Sequence, residues 1–222
     1  MKVMKNGLIR YLAILSAAIA LTGCASFRNN EIAEVKSLPD VSQYQNKPSV
    51  FVEASFYSGE PDKAASEVPA ARQEVQKMIG KILDESDLFS KYSFNTTDKQ
   101  GMDYTLHIDI YNHGNHGRAA VSGVITGLSF FIIPGAATDH YTFKARLTDN
   151  TGQIVSEVTN KDSFTSWFGI WFLPVAAKTP AKAYSQTIEN QLKAALKELV
   201  ESGKLKYSQA SPRISSNLLA RR

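Results

Sequence analysis

The chain of 222 residues contains a single cysteine, Cys24. An intrachain disulfide needs two cysteines, so the sequence excludes the disulfide framework that many small exported proteins use. Catalytic signatures are missing too, since the sequence has no Gly-x-Ser-x-Gly, no Walker loop, no His-Glu-x-x-His and no Gly-x-Gly-x-x-Gly. These absences speak against the commonest hydrolases, nucleotide-binding enzymes and zinc proteases. We therefore expect a protein that is not an enzyme and needs no cofactor.

The amino-terminal apolar run is too short to remain in a membrane as a spanning helix. It covers residues 11–21, whereas a spanning helix needs roughly 20 apolar residues. Small residues follow it, up to Gly23, and three basic residues precede it: Lys2, Lys5 and Arg10. A basic start, a short apolar core and a small-residue end predict a secretory signal peptide over residues 1–23.

Residues Leu21-Thr22-Gly23-Cys24 resemble the lipobox of bacterial lipoproteins. The resemblance implies cleavage between Gly23 and Cys24, with acyl chains such as palmitate on Cys24, whose thiol is a good nucleophile. Two or more acyl chains anchor a protein firmly, since each buried methylene contributes on the order of 0.8 kcal/mol. In that family an aspartate after the cysteine favours retention in the inner membrane. Ala25 and Ser26 stand there instead, which implies the periplasmic face of the outer membrane.

The net charge of +4 comes from the two ends of the chain. Without the three basic residues of 1–23 and the five of 204–222, the remaining residues carry a charge of −4, so we expect no nucleic-acid partner. Residues 24–47 are polar and aperiodic and predict a lipidated amino terminus on a flexible tether. Residues 48–203 predict one periplasmic domain, and residues 204–222 a basic, flexible tail.

Hydrophobic periodicity within residues 48–203 predicts an alternation of strands and helices. Strands are expected at 49–57 and 104–111, and a hairpin at 141–158 turns at Asp149-Asn150-Thr151-Gly152. Helical spacing predicts helices near 68–83 and 180–202. The expected fold is α/β (α+β), with a single mixed or mostly antiparallel sheet covered by two helices and two apolar connecting segments.

The two connecting segments, 119–138 and 163–177, carry no charge. Three interpretations stay open: buried strands or a packed hairpin, an exposed patch for a partner or for self-association, and hairpins inserted in the membrane. Aromatic residues are enriched at contact surfaces. The candidate partner or membrane contacts are therefore Phe130, Phe131, Trp167, Phe168, Trp171 and Phe172.

A metal site is a weaker hypothesis. His113 and His116 are three residues apart and could join Asp109, or Asp139 and His140. Gly114 and Gly117 predict a solvated loop rather than the helix on which that spacing works best. We therefore expect no metal.

The domain is similar to the amino-terminal domain of TolB and to related envelope lipoproteins. The resemblance covers roughly residues 48–203 and rests on the element order and on two short motifs, Asp103-Tyr104-Thr105-Leu106 and Ile125-Thr126-Gly127-Leu128 before Pro134. It implies a non-enzymatic lipoprotein that binds or scaffolds an envelope complex, with an envelope protein or a second copy of the chain as partner. The alternatives are a subunit of an outer-membrane secretion or export channel, and an envelope hydrolase or metal carrier.

Overall fold

The computed structural model describes residues 23–114, 116–129 and 131–208. The predicted signal segment up to Thr22, the aromatic Phe130 and the tail beyond Ser208 lie outside these residues. The strands are β1 (Gly23–Arg28), β2 (Ser49–Ser58), β3 (Ser66–Glu67), β4 (Lys91–Ser93), β5 (Tyr104–Asn112), β6 (Gly135–Asp149) and β7 (Ile154–Gly169). They form one mixed seven-stranded sheet in the order β1-β7-β6-β5-β2-β3, with β4 also paired to β2, which confirms the predicted fold class.

Within the described residues, three α-helices accompany the sheet: α1 (Arg72–Ser86), α2 (His116–Leu128) and α3 (Pro180–Glu201). A 3₁₀ turn at Pro69–Ala71 leads into α1, and another at Ile170–Val175 follows β7. Thr179 caps α3, because its hydroxyl accepts a hydrogen bond of 3.3 Å from the backbone N–H of Lys182. Gly203 follows the end of that helix with a left-handed φ of 67°, a conformation that glycine adopts without strain.

The core lies between one face of the sheet and the helices α1 and α3. The alternating residues Leu106, Ile108 and Ile110 of β5 are fully buried there, as their spacing predicts. Burying each such side chain stabilises the fold by roughly 1.5–3 kcal/mol. The two helices contribute Val75, Ile79, Ile82, Leu83, Ala183, Ile188, Leu192, Ala195, Leu196 and Leu199.

The opposite face of the sheet is polar. His107 Nδ1 of β5 lies 2.7 Å from Glu53 Oε2 of β2, and Lys99 Nζ lies 2.7 Å from Glu53 Oε1. Tyr57 and Tyr111 stack beside them with ring centroids 4.8 Å apart. This pattern is typical of a sheet with one buried and one solvated face.

The β6–β7 hairpin has the predicted turn, but its strands are much longer than the sequence indicates. Gly152 donates its N–H to the carbonyl of Asp149 at 3.0 Å, which closes the turn. At the other end the pairing runs on to Gly135 opposite Phe168. The hairpin therefore draws the two uncharged segments, which lie far apart in sequence, to the same end of the sheet.

The predicted tether is wrong for its first residues, which form the edge strand β1 antiparallel to β7. The rest of the segment also contacts the domain, since Val41 is buried and the N–H of Val35 donates to Asn190 Oδ1 at 2.8 Å. Long-range pairing orders this segment, although its own sequence lacks a pattern. The start of the predicted tail is also packed: Leu205 is buried and Tyr207 stacks on Tyr44 at 5.3 Å.

Candidate functional site

An uncharged apolar surface lies where β6 begins and β7 ends. Leu128 is 78% exposed and Trp171 is 65% exposed, although both belong to segments without a single charged residue. Contiguous exposed apolar surface is uncommon on soluble proteins and marks an interaction site. We call this surface the apolar end; it consists of Val121, Val124, Ile125, Leu128, Ile132, Ile133, Trp167, Trp171 and Leu173.

The helix α2 turns its apolar side outward and its small polar residues inward. Thr126 is buried, and Ser122 Oγ accepts a hydrogen bond of 2.8 Å from the N–H of Ala136 at the start of β6. Gly135 lies so close to Thr126 that a Cβ there would collide with its hydroxyl. A helix on a soluble domain normally has the reverse orientation. The structure thus contradicts the strand and hairpin interpretations for residues 119–129.

Two turns complete the apolar end, and their polar groups are hydrogen-bonded within the chain. Phe131 has a left-handed φ of 63°; its N–H donates to the carbonyl of Thr126 at 2.8 Å, and its own carbonyl accepts from Ile170 at 3.2 Å. The indole N–H of Trp171 donates to the carbonyl of Ile132 at 2.9 Å. The surface therefore presents hydrocarbon without leaving these donors unpaired.

Cys24 lies at this same end, in the edge strand β1. It stands opposite Phe168 in the β1–β7 register, and Gly23 stands opposite Gly169. A Cβ on Gly23 would collide with the backbone of Phe172 and Leu173. The lack of a side chain at Gly23 therefore lets β1 lie close to this turn. Burial raises the pKa of the Cys24 thiol, and a hydrogen bond with Ser26 opposes the shift.

A buried ion pair fixes β1 against β7. Arg28 Nη2 lies 2.9 Å from Asp162 Oδ2, and the Asp162 side chain is fully buried. The other carboxylate oxygen accepts the N–H groups of Glu31 at 3.0 Å and Ser163 at 2.9 Å. Four residues beyond Cys24, the chain is thus held in place by charge-assisted hydrogen bonds.

The structure brings most of the predicted contact residues together. Trp167 is partly exposed, with its ring centroid 5.9 Å from that of Phe172, while Phe168 and Phe131 are half-buried. Phe130 lies outside the described residues. The sequence interpretation chose aromatic residues and missed the aliphatic ones of α2. Val121, Val124, Ile125 and Leu128 are spaced by three, one and three residues, which places them on one face of a helix. This spacing could have identified them from the sequence.

Two histidines of the metal hypothesis, His113 and His140, lie side by side. His113 Nε2 is 2.9 Å from Thr142 Oγ1, and its ring stacks on His140 at 6.1 Å. Burial, followed by the nearby His140, lowers the pKa of His113. Burial raises the pKa of Asp109, with Arg146 opposing. The side chain of His116 lies outside the described residues, which hold no cluster of three or more metal-ligating side chains.

None of the helices within residues 23–114, 116–129 and 131–208 is both long and apolar enough to cross a membrane.

Comparison with known proteins finds distant structural likeness only. No family model matches the chain, and no curated protein sequence matches it. Among solved structures, the chain resembles a minor lipoprotein from Acinetobacter baumannii at 12% identity and a TM-score of 0.37, covering 74% of this chain and 98% of that one.

The chain also resembles a PelC dodecamer from Paraburkholderia phytofirmans at 12% identity and a TM-score of 0.35, covering 79% and 98% of the two chains. A DUF4136 family protein from Bacteroides thetaiotaomicron is 8% identical with a TM-score of 0.31, covering 83% and 98%. The first of these three is named a lipoprotein. Likeness this distant carries no argument about function.

Proposed function

We propose that the chain is a lipid-anchored lipoprotein of the bacterial envelope that acts by binding an envelope component rather than by catalysis. Acyl groups on Cys24 would hold it at the periplasmic face of the outer membrane. The observation that carries the proposal is the position of Cys24 in β1, directly beside the exposed apolar end. Anchor and contact surface thus occupy one end of the domain.

The arrangement supports a binding role because the side chains of the apolar end are exposed while hydrogen bonds hold its backbone in place. Its turns are closed by hydrogen bonds such as that from Trp171 Nε1 to the Ile132 carbonyl. Exposed aromatic and aliphatic side chains on a rigid support are the usual anchors of a binding surface. On the polar face, Glu53 is paired with His107 and Lys99 and stays solvent-accessible, which suits a charged surface in water.

The test is the covalent state of the mature chain after expression with its signal segment. We expect intact-protein mass spectrometry to find cleavage after Gly23 and acyl groups on Cys24. Replacing the nucleophile in Cys24→Ser removes the acylation site, so that variant should be unacylated and should leave the membrane fraction on washing.

A relocated cysteine is the matched control. Ser42 is exposed and lies outside the motif, so Ser42→Cys in the Cys24→Ser background should not restore acylation. The proposal fails if the mature wild-type chain carries no acyl group, or if Ser42→Cys is acylated as well.

A further inference from the structure

We propose that the apolar end is seated in the lipid leaflet that holds the acyl chains of Cys24, so that the membrane itself is the partner of this surface. The inference rests on the proposed function, because it takes Cys24 as the lipid-bearing residue. It goes beyond anchoring, since a seated surface also fixes the orientation of the domain.

The first argument is that no flexible linker separates the acylated residue from the folded domain. A free tether of residues 25–47 would let the domain stand roughly 25–30 Å from the membrane. In the structure the strand pairing includes Cys24 itself, and the Arg28–Asp162 ion pair holds the end of the strand. Acyl chains on Cys24 would therefore extend from the domain surface next to Phe168. Their insertion in the bilayer would bring the apolar end to the membrane surface.

The second argument is the orientation of α2. Its inward side carries Ser122 and Thr126, while Val124 and Leu128 point outward. In water this places the apolar side in the less favourable environment. Helices that lie in the membrane interface bury such an apolar face about 5–10 Å into the lipid. Gly135, which α2 contacts through Thr126, stands opposite Phe168, and Phe168 stands opposite Cys24, so α2 and the acylated residue lie at the same end of the sheet.

The third argument is the satisfaction of polar groups. A surface that enters lipid must pair its backbone donors internally, because no water is present to pair them. The N–H groups of Phe131, Ile132 and Ile133 donate to Thr126 O, Ser129 O and Ser129 Oγ at 2.8, 3.2 and 3.1 Å. The indole of Trp171 is paired as well. The turns thus meet the requirement of a lipid environment.

The fourth argument is composition. The two segments that build the apolar end lack charge, and the first charged residue after the second segment is Lys178, whose Nζ lies 4.5 Å from the ring centroid of Phe27. A cation at the border of an apolar surface suits the anionic headgroups of a membrane. The chain contains two tryptophans, Trp167 and Trp171, and both belong to the apolar end. Tryptophan is enriched at membrane–water interfaces.

The test uses these tryptophans as probes in the acylated mature chain. The chain is reconstituted in vesicles of phosphatidylethanolamine and phosphatidylglycerol, with and without lipids brominated on their acyl chains. We expect bromine to reduce tryptophan emission about twofold, since burial by roughly 5–10 Å brings the indole rings among the brominated carbons. Flotation and intact mass confirm that every sample is anchored and acylated.

Charged substitutions separate the apolar end from the rest of the domain. Leu128→Asp and, independently, Val124→Asp should each relieve most of the quenching, and circular dichroism should show an unchanged fold. Ile154→Asp is the matched control, because Ile154 is a 59% exposed aliphatic residue at the opposite end of β7; quenching should stay at the wild-type level.

The outcomes separate the two proposals. A chain that floats and is acylated but shows unquenched tryptophans overturns the membrane seat and leaves the lipoprotein intact. The membrane seat is also overturned, and the lipoprotein proposal again stands, if both charged variants retain full quenching or if cross-linking shows a second copy covering Trp171. A mature chain without acyl groups overturns both proposals.

Discussion

At the scale of single residues, Asp162 is a buried charged group that joins β1 to β7. Its side chain is fully buried, it pairs with Arg28, and it accepts hydrogen bonds from two backbone N–H groups. Removing one partner of a buried pair leaves the other charge without compensation. This residue therefore couples the position of the Cys24 strand to the body of the sheet.

We expect Asp162→Asn to lower the free energy of unfolding by about 3–5 kcal/mol, because it leaves the Arg28 guanidinium buried beside a neutral group. Urea unfolding followed by circular dichroism measures the change. Glu60→Gln is the control, since the Glu60–Lys63 pair is exposed on both sides and screened by solvent, so its loss should change the free energy of unfolding far less. Equal effects of the two substitutions would show that the buried pair contributes little.

At the scale of elements, the helix α2 has glycine at the exposed positions 123 and 127. A Cβ added at Gly123 or Gly127 meets no atom within 4 Å. Glycine weakens a helix because it has more conformational freedom to lose on folding. Alanine at either position should therefore stabilise α2 without a steric cost.

We expect Gly123→Ala and Gly127→Ala each to raise the free energy of unfolding by about 0.5–1 kcal/mol. Gly135→Ala should instead lower it by about 1–3 kcal/mol, since the new methyl group would collide with Thr126. Thermal and urea unfolding of the three variants distinguish the alternatives. Destabilisation by all three would argue against a helix at residues 116–128.

At the scale of the whole molecule, the domain has two unlike surfaces. The polar face of the sheet carries ion pairs such as Lys99–Glu53, while the apolar end is uncharged. Without its acyl chains, such a molecule should hide its apolar end by non-specific contact with other copies. Self-association of the unacylated chain therefore measures how exposed the surface is in solution.

We expect the mature Cys24→Ser chain to associate in a manner that mild detergent reverses, as measured by sedimentation velocity. Trp171→Ala combined with Phe172→Ala should abolish the association and leave the fold intact, because it removes two aromatic contacts from the surface. Ile154→Ala, at the far end of β7, should leave the association unchanged. A discrete oligomer that survives detergent would instead identify a second copy as the natural partner, and unfolding of the double variant would place these aromatics in the core.

Patterns of neighbouring residues in the sequence determined the central strands, the hairpin and the two long helices of this protein. The alternation in 104–111, the turn at 149–152 and the apolar stripes of the two long helices predict the central strands, the hairpin and the core, and the lack of charge in 119–138 and 163–177 marks the segments of the apolar end. These features depend on residues within a few positions of one another, so a single sequence reveals them.

Tertiary structure alone decided the arrangement of the apolar end. Cys24 lies opposite Phe168 only because β7 offers an edge to a segment that has no periodicity of its own. The outward orientation of α2 depends on the close contact between Thr126 and Gly135, which follows from where β6 begins. Pairings between distant residues and the choice of which helix face turns inward are properties of the packed chain, since both are set by the surfaces that neighbouring elements leave open.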